Sequence, residues 1–263
     1  MYATPLSTGR NDLSAVQTLR ETLLTSAEIH RVFGQTPGAY RLIGEVLYAT
    51  GMRLEELLTV RVRDVESDGW CLVVRDTGGQ VVRGMRLPAQ VREQLQKHLG
   101  RLQHWHTQEL ERGGGGVDPE GLDVEGHPLA GRRWCWQYVF PSARTRVDAV
   151  TGRTIRPHLE PGSLQAVLAR AGHAAGVSKP VHAQARRHAF VLHYLARGRP
   201  PADLQRLLGH RNPATTQRYI EVLQAARQRL SAEHAGQPQM RGIDTPFRQP
   251  TLFEARERAW ASG

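Results

Sequence analysis

Apolar residues recur along this chain mainly at helical spacing, so most of it is predicted to be helical. Leu42, Ile43 and Val46 illustrate the pattern, because residues three and four apart lie on one face of a helix. Gly51 is expected to end that helix, and Ser26 to cap an earlier one. The predicted helices span residues 26–32, 39–50, 54–58, 91–102, 163–175, 187–196, 202–208 and 214–230.

Two segments instead place apolar residues at every second position, the pattern of a half-buried strand. They are VRVRDV at 60–65 and WCLVVRD at 70–76. The run TGGQ at 77–80 has the composition of a hairpin turn, and it leads into VVRGMRLP at 81–88. The sequence therefore predicts a small sheet after the first three helices.

Two segments between the sheet and the later helices stand out by composition. Residues 113–131 hold four consecutive glycines and little apolar content, which predicts a long flexible loop. Residues 134–140 are the most aromatic part of the chain. We expect this run to begin a buried strand, and direct stacking on nucleic-acid bases is the alternative.

The charge balance favours a polyanionic partner. The 263 residues include 35 Lys and Arg against 25 Asp and Glu, a formal net charge of +10, and Lys97 and Lys179 are the only lysines. A guanidinium grips two phosphate oxygens at once, whereas an ammonium is a point charge, so the composition suits nucleic acid. The alternative is that an arginine-rich proteome produces such chains whatever their function.

Membrane and secreted proteins fit this sequence poorly. No apolar run approaches the roughly 18 residues that a membrane span needs, and the first residues lack the pattern of a secretory signal. Cys71 and Cys135 match no metal-ligand spacing and are expected to be reduced thiols. We therefore expect a cytoplasmic protein without a membrane role.

Three stretches combine chemistry-bearing residues in a way that packing alone does not explain. They are ATGMRLEELLTVRVRDV at 49–65, ARRHAFVLHYLARG at 185–198 and LLGHRNPATTQRYIEVL at 207–223. Together they resemble the two arginine boxes and the histidine–tyrosine box of the tyrosine recombinase (phage integrase) family. WCWQYVFPS at 134–142 and LQAVLARAGHAAGV at 164–177 are similar to integron integrases, which also carry an insertion before this segment.

The resemblance implies a fold and a domain plan. The implied fold is mainly α with a small antiparallel β-sheet of about three strands at one edge. We assign the catalytic domain to residues 24–230, with 1–23 as a flexible lead-in or linker remnant and 231–263 as a tail suited to docking on a protomer. The family normally has an N-terminal helical domain that binds the far side of the DNA, and we expect it to be absent here.

The resemblance also assigns roles to four residues. Arg53 and Arg187 would hold the non-bridging oxygens of the scissile phosphate, where negative charge builds up during the reaction. Tyr219 would attack phosphorus and conserve the bond energy as a phosphotyrosine, so that strands rejoin without ATP or a cofactor. His210 would donate a hydrogen bond to the phosphate or manage the tyrosine proton.

Charged and aromatic residues beside these boxes receive simpler interpretations. Glu55 and Glu56 either orient Arg53 by pairing or form the solvated face of a helix, and we favour the solvated face. His193 and Tyr194 are expected to support the site by packing.

The sequence departs from the family at two positions. The family has a lysine in the hairpin, thought to protonate the leaving 5′ oxygen, and Gly78 stands at that position. Arg83 or Arg86 would reach the site only as a poor proton donor, because a guanidinium has a very high pKa. Gln184 replaces the family histidine three residues before Arg187, and His182 is a candidate substitute.

Two hypotheses follow from these residues. In the first, the chain recombines DNA through Tyr219, with double-stranded DNA and further protomers as partners, since the family acts as a tetramer. In the second, it is an impaired relic that binds DNA or modulates partner recombinase subunits. A third possibility, type IB topoisomerase activity, would use the same tyrosine chemistry and is the least favoured of the three.

Overall fold

Helices dominate the structure, as predicted. The computed structural model describes residues 24–66, 70–76, 78–117, 130–148, 152–210, 212–221 and 224. Its helices are α1 (Ser26–Gly34), α2 (Gly38–Thr50), α3 (Leu54–Leu58), α4 (Ala89–Glu111), α5 (Pro161–Ala174), α6 (Ala183–Ala196), α7 (Pro201–Leu208) and α8 (213–221). Its strands are β1 (Val65–Glu66), β2 (Cys71–Arg75), β3 (Val81–Arg86), β4 (Arg146–Val147) and β5 (Thr154–Ile155).

Helix α2 carries much of the hydrophobic core. Its apolar positions, including Leu42 and Val46, are buried, and the helix packs against both α4 and α6. A second apolar cluster joins α6 to α7 through residues such as Phe190 and Leu208. Tyr219 on α8 packs against this second cluster, so the last described helix is held by α6 and α7.

The main sheet is antiparallel and has three strands, in the order β1-β2-β3. Strands β2 and β3 form the predicted hairpin, in which Cys71 pairs with Arg86 and Val74 with Arg83. A separate two-stranded sheet, β4-β5, lies in the later connection. The prediction of a mainly helical fold with a small antiparallel sheet is confirmed.

The first helix is capped by Thr25 and not by Ser26, which corrects the prediction. The Thr25 hydroxyl accepts a hydrogen bond from the Glu28 amide (3.2 Å), and the Glu28 carboxylate accepts one from the Thr25 amide (2.7 Å). This reciprocal pair satisfies two backbone donors at the start of the helix. A cap at Ser26 would place Ile29 at the position of the returning side chain, and isoleucine cannot accept a hydrogen bond.

The segment VRVRDV does not form the predicted strand. Val62–Asp64 is a 3-10 turn, and only the end of the segment pairs with β2. Arg61 is buried and donates to the Tyr138 hydroxyl (3.2 Å), so the alternation of apolar and polar residues did not mark a buried and a solvated face. Asp64 closes the turn by accepting from the Arg61 amide (3.0 Å) and also binds Arg75 (2.7 Å).

The aromatic run begins with a 3-10 turn, Trp134–Trp136, and not with a strand. The burial expected for it holds for Tyr138, Val139 and Phe140. The guanidinium of Arg63 lies 3.6 Å from the centre of the Trp136 ring, a cation–π contact within the protein. This contact supports packing over base stacking for that ring.

The two ends of the predicted loop at 113–131 meet. The Val117 amide donates to the Gly131 carbonyl (3.2 Å), and the buried Gln137 side chain donates to the same carbonyl (3.0 Å). The segments outside the described residues include most of this loop (118–129), the predicted lead-in (1–23) and the predicted tail (231–263).

The glycine that ends α2 gives a test of the fold. Gly51 has φ +66°, and a Cβ there would lie 2.4 Å from Phe190 Cδ1. We expect Gly51→Ala to lower the free energy of unfolding by about 2–4 kcal/mol, through left-handed strain and overpacking. Urea denaturation measures the change. The control is Gly100→Ala within α4, where a Cβ meets nothing within 4 Å. This substitution should raise the free energy of unfolding by up to about 1 kcal/mol. Equal effects of the two substitutions would contradict this account.

Candidate active site

Arg187 joins three parts of the chain at one point. It lies on α6, and its guanidinium donates to the carbonyl oxygens of Gly51 (2.6 Å) and Leu208 (3.1 Å). Gly51 follows α2 and Leu208 ends α7, so the segments predicted to carry chemistry meet here. Burial, and next the positive charge of Arg53, lowers the pKa of Arg187 to about 10. The side chain therefore remains a cation at neutral pH.

Glu56 is shared by two arginines. Its carboxylate accepts from Arg53 Nη1 (2.8 Å) and from Arg83 Nη2 (2.6 Å), and it also accepts from the Arg53 amide (2.9 Å). Burial raises the pKa of Glu56, but the hydrogen bonds from Arg83 and Arg53 outweigh it and leave the pKa lowered. The interpretation of Glu56 as part of a solvated helix face is wrong, whereas Glu55 is exposed.

Arg83 is the hairpin arginine that the structure brings to the site. Its side chain is 9% exposed, and its guanidinium lies so close to Gly209 that a Cβ there would stand 2.8 Å from Nη1. Sequence reasoning weighed Arg83 and Arg86 equally, because alternation along a strand does not tell which residue meets a neighbouring helix.

His210 completes the group of side chains around Arg187. Its Nε2 lies 3.3 Å from Arg187 Nη2, and its Nδ1 lies 3.0 Å from the Thr216 hydroxyl. A guanidinium only donates, so Nε2 accepts and the proton of the neutral ring sits on Nδ1. Burial lowers the pKa of His210 to about 4, with further contributions from Arg187, Arg53 and Arg83.

An open pocket of about 520 Å³ lies beside Arg187 and His210. The described residues that line it are Arg53, Arg187, Gly209, His210, Asn212 and Thr215. The guanidinium groups of Arg53, Arg83 and Arg187 carry three positive charges against the single negative charge of Glu56, a net +2 (3 − 1). Such a pocket is suited to a phosphate group.

Tyr219 lies beside this pocket, on α8. Its ring is parallel to the His210 imidazole, with ring centroids 6.4 Å apart, and its hydroxyl oxygen is 2.7 Å from His188 Nδ1. Burial raises the pKa of Tyr219, and the positive charge of Arg187 offsets part of that rise. Sequence reasoning missed His188, and its position directly after Arg187 was the one available signal.

Gly78 and His182, which bear on the departures of the sequence from the family, make local hydrogen bonds. Gly78 is exposed in the hairpin turn, where its amide donates to Asp76 Oδ1 (3.0 Å). His182 is the N-cap of α6, and its Nδ1 accepts from the Ala185 amide (3.0 Å). That nitrogen is therefore used in capping. Gln184 lies in the first turn of α6, and its side chain is outside the described part of the structure.

Among the described residues, no three His, Cys, Asp or Glu side chains are grouped so as to hold a metal ion. No helix there has the length and apolar character that crossing a bilayer requires.

His193 and Tyr194, which were expected to support the site by packing, do make packing contacts. His193 Nδ1 is 2.8 Å from the Tyr48 hydroxyl, and Tyr194 is buried.

Known proteins are similar to this chain over most of its length. A model of the phage integrase family matches residues 20–226. The chain is 34% identical over 202 residues to an integrase/recombinase of Escherichia coli, covering 76% of this chain and 60% of that protein. It is 30% identical over 190 residues to tyrosine recombinase XerD of Brucella abortus biovar 1, covering 72% and 50%. The chain thus spans 50–60% of the length of these curated relatives.

Solved structures share the fold. The crystal structure of XerA recombinase superposes with a TM-score of 0.55 at 21% identity, covering 82% of this chain and 64% of that one. A post-cleavage complex of XerH recombinase with its palindromic difH substrate gives a TM-score of 0.53 at 20% identity, covering 82% and 53%. At this level of identity the likeness concerns the fold alone.

The electrostatic coupling in the pocket can be tested on His210. Replacing Arg83 by Met removes a positive charge that lowers the His210 pKa, so we expect that pKa to rise by roughly half a unit to one unit. Between pH 4 and 6 the variant then binds more protons at His210. Histidine NMR titration, assigned with His210→Gln, measures the shift. Arg86→Met is the control, and an equal shift in both variants would refute a specific contribution of Arg83.

Proposed function

Because this chain belongs to the phage integrase family, we propose that it catalyses site-specific DNA recombination through a 3′-phosphotyrosyl intermediate. The observation that carries the proposal is the cationic pocket formed by Arg53, Arg187 and His210, with Tyr219 packed beside it. We assign the catalytic roles to these four residues. DNA strands, and not a small molecule, match an open pocket on a strongly basic chain.

The proposed reaction exchanges one phosphoester bond for another. The Tyr219 oxygen attacks phosphorus and loses its proton to solvent, the bond from phosphorus to the 5′ oxygen breaks, and that oxygen takes up a proton. Arg53 and Arg187 stabilise the charge on the non-bridging oxygens, which requires no metal ion. Because Gly78 stands where the family has a lysine, we assign the second proton to water and expect slow cleavage.

Partners and location belong to the same proposal. Duplex DNA is the substrate, and XerH, which shares the fold, is solved with its difH substrate. A tetramer on DNA, or assembly with other recombinase subunits, follows from the family resemblance. The cytoplasm is the compartment where we expect this chemistry.

Covalent capture tests the proposal. The purified protein is incubated with nicked duplexes that the Escherichia coli relative cleaves, and denaturing gels are scored for a protein–DNA adduct. We expect an adduct from the wild-type chain and none from Tyr219→Phe, because phenylalanine lacks the attacking oxygen. Tyr40→Phe, which alters a half-buried tyrosine away from the pocket, should behave as wild type.

The negative result is equally informative. If the relative forms its adduct in parallel and this chain binds the same DNA without forming one, the catalytic proposal is refuted. Binding without chemistry would instead support a DNA-binding or recombinase-modulating protein.

Restoring a lysine to the hairpin tests why cleavage should be slow. A Cβ on Gly78 meets only Asp76 Oδ1, at 3.4 Å, so the turn accommodates a side chain there. We expect Gly78→Lys to raise the rate of adduct formation by roughly tenfold or more, less than the roughly hundredfold or greater effect of a fully positioned general acid. The control is Gly79→Lys, which adds the same lysine at the next position of the turn, where the φ of +78° disfavours a side chain. We expect no increase in the rate of adduct formation from this control. An unchanged rate in Gly78→Lys would show that the hairpin acid is not what limits cleavage.

A further inference from the structure

His188 contacts the proposed nucleophile but has no part in the chemistry described above. Its Nδ1 is 2.7 Å from the Tyr219 hydroxyl oxygen, and the two rings are tilted with centroids 5.6 Å apart. Among the described residues, His188 is the one hydrogen-bond partner of that hydroxyl. A neutral imidazole nitrogen donates or accepts according to its tautomer, and we assign Tyr219 as the donor and Nδ1 as the acceptor.

This hydrogen bond places the Tyr219 hydroxyl on a different side chain of α6 from the one that reaches the phosphate pocket. Arg187 and His188 are consecutive residues of α6, so their side chains leave the helix about 100° apart. Arg187 reaches the pocket and binds the carbonyls of Gly51 and Leu208, whereas His188 holds Tyr219. Tyr219 is not among the described residues that line the pocket.

The protonation states of His188 and Tyr219 favour a hydrogen bond between two neutral side chains over transfer of the Tyr219 proton to His188. Burial, followed by the charges of His182 and Arg187, lowers the pKa of His188 to about 4, so the ring is neutral and free to accept. Burial raises the pKa of Tyr219 above its ordinary value. A base this weak does not take the proton of such a phenol, and the contact stays a hydrogen bond.

We propose that His188 holds the Tyr219 hydroxyl outside the phosphate pocket, and that this hydrogen bond must break before Tyr219 attacks. The proposal rests on the recombinase function for its role in the reaction. Its structural part stands without DNA, because it concerns the accessibility of one phenol. His188 is accordingly a positioning residue for the nucleophile.

Nitration by tetranitromethane tests the proposal on the free protein. The rate at Tyr219 is followed by mass spectrometry of the tryptic peptide that begins at Tyr219, with the Tyr40 peptide as internal reference. His188→Leu removes the acceptor, and we expect Tyr219 to be nitrated roughly fivefold faster, the factor that a typical net hydrogen bond supplies. His188→Asn places an amide oxygen on the atom that carries Nδ1, so it should restore protection.

The same helix offers a matched control. His193 Nδ1 lies 2.8 Å from the Tyr48 hydroxyl, a second contact of the same type on α6. His193→Leu should leave the nitration rate of Tyr219 unchanged. If it accelerates Tyr219 as much as His188→Leu does, the effect is general loosening of α6 and the proposal is overturned.

Adduct formation on the nicked duplexes completes the test. Under the proposal, His188→Leu forms the Tyr219 adduct at least as fast as the wild type, and its DNA affinity is unchanged. Unaltered nitration in His188→Leu, or loss of the adduct that His188→Asn restores, would overturn it, since the second result means that His188 delivers the nucleophile. If no variant forms an adduct while the nitration pattern holds, the recombinase function fails and the holding contact stands.

Discussion

The buried guanidinium of Arg187 is the contact on which the arrangement of the site depends. A charge removed from water is costly unless hydrogen bonds replace its hydration. Here the carbonyl oxygens of Gly51 and Leu208 do so, at 2.6 and 3.1 Å. Because these carbonyls follow α2 and end α7, satisfying one side chain on α6 sets the positions of all three helices. The same hydrogen bonds of Arg187 therefore determine both the fold of this region and the geometry of the pocket.

The choice of acceptors also determines how much charge the pocket keeps. A carboxylate would neutralise Arg187, whereas carbonyl dipoles solvate it and leave its full charge. The Glu56 carboxylate is shared between Arg53 and Arg83, so this group of side chains retains a net positive charge. Positive charge fixed before a ligand arrives costs no reorganisation when phosphate binds, which is the basis of electrostatic catalysis.

Local patterns in the sequence located the described helices and the hairpin, although α4 extends to Glu111, beyond the predicted 91–102. The periodic apolar positions of α2, the stop at Gly51 and the extent of α3 agree with the structure. The strand predicted from VRVRDV failed because Arg61 is buried through contacts with Tyr138, which is distant in sequence. Alternation cannot distinguish a solvated arginine from a buried one, because burial is decided by tertiary partners.

Contacts between residues distant in sequence also limited the prediction of the candidate site. The tyrosine recombinase resemblance identified Arg53, Arg187, His210 and Tyr219, which the structure brings together. It left out His188, and for Glu56 the solvated face was favoured over pairing with Arg53, because the second partner of Glu56, Arg83, is distant in sequence. The residues proposed to react can be recognised as sequence motifs, whereas the residues that hold them can be recognised only from their contacts in the structure.

The glycines in two of the motifs have a common physical explanation. The last carbonyls of a helix lack partners within it and lie at the negative end of its dipole, so a cation is favoured there. Gly51 and Gly209 both end helices with positive φ, at 66° and 63°, and both border the Arg187 site. A side chain at Gly51 would collide with Phe190, and one at Gly209 would collide with Arg83. The two glycines thus end α2 and α7 while leaving room for the residues that pack around Arg187, which places the cationic pocket where the two helix ends converge.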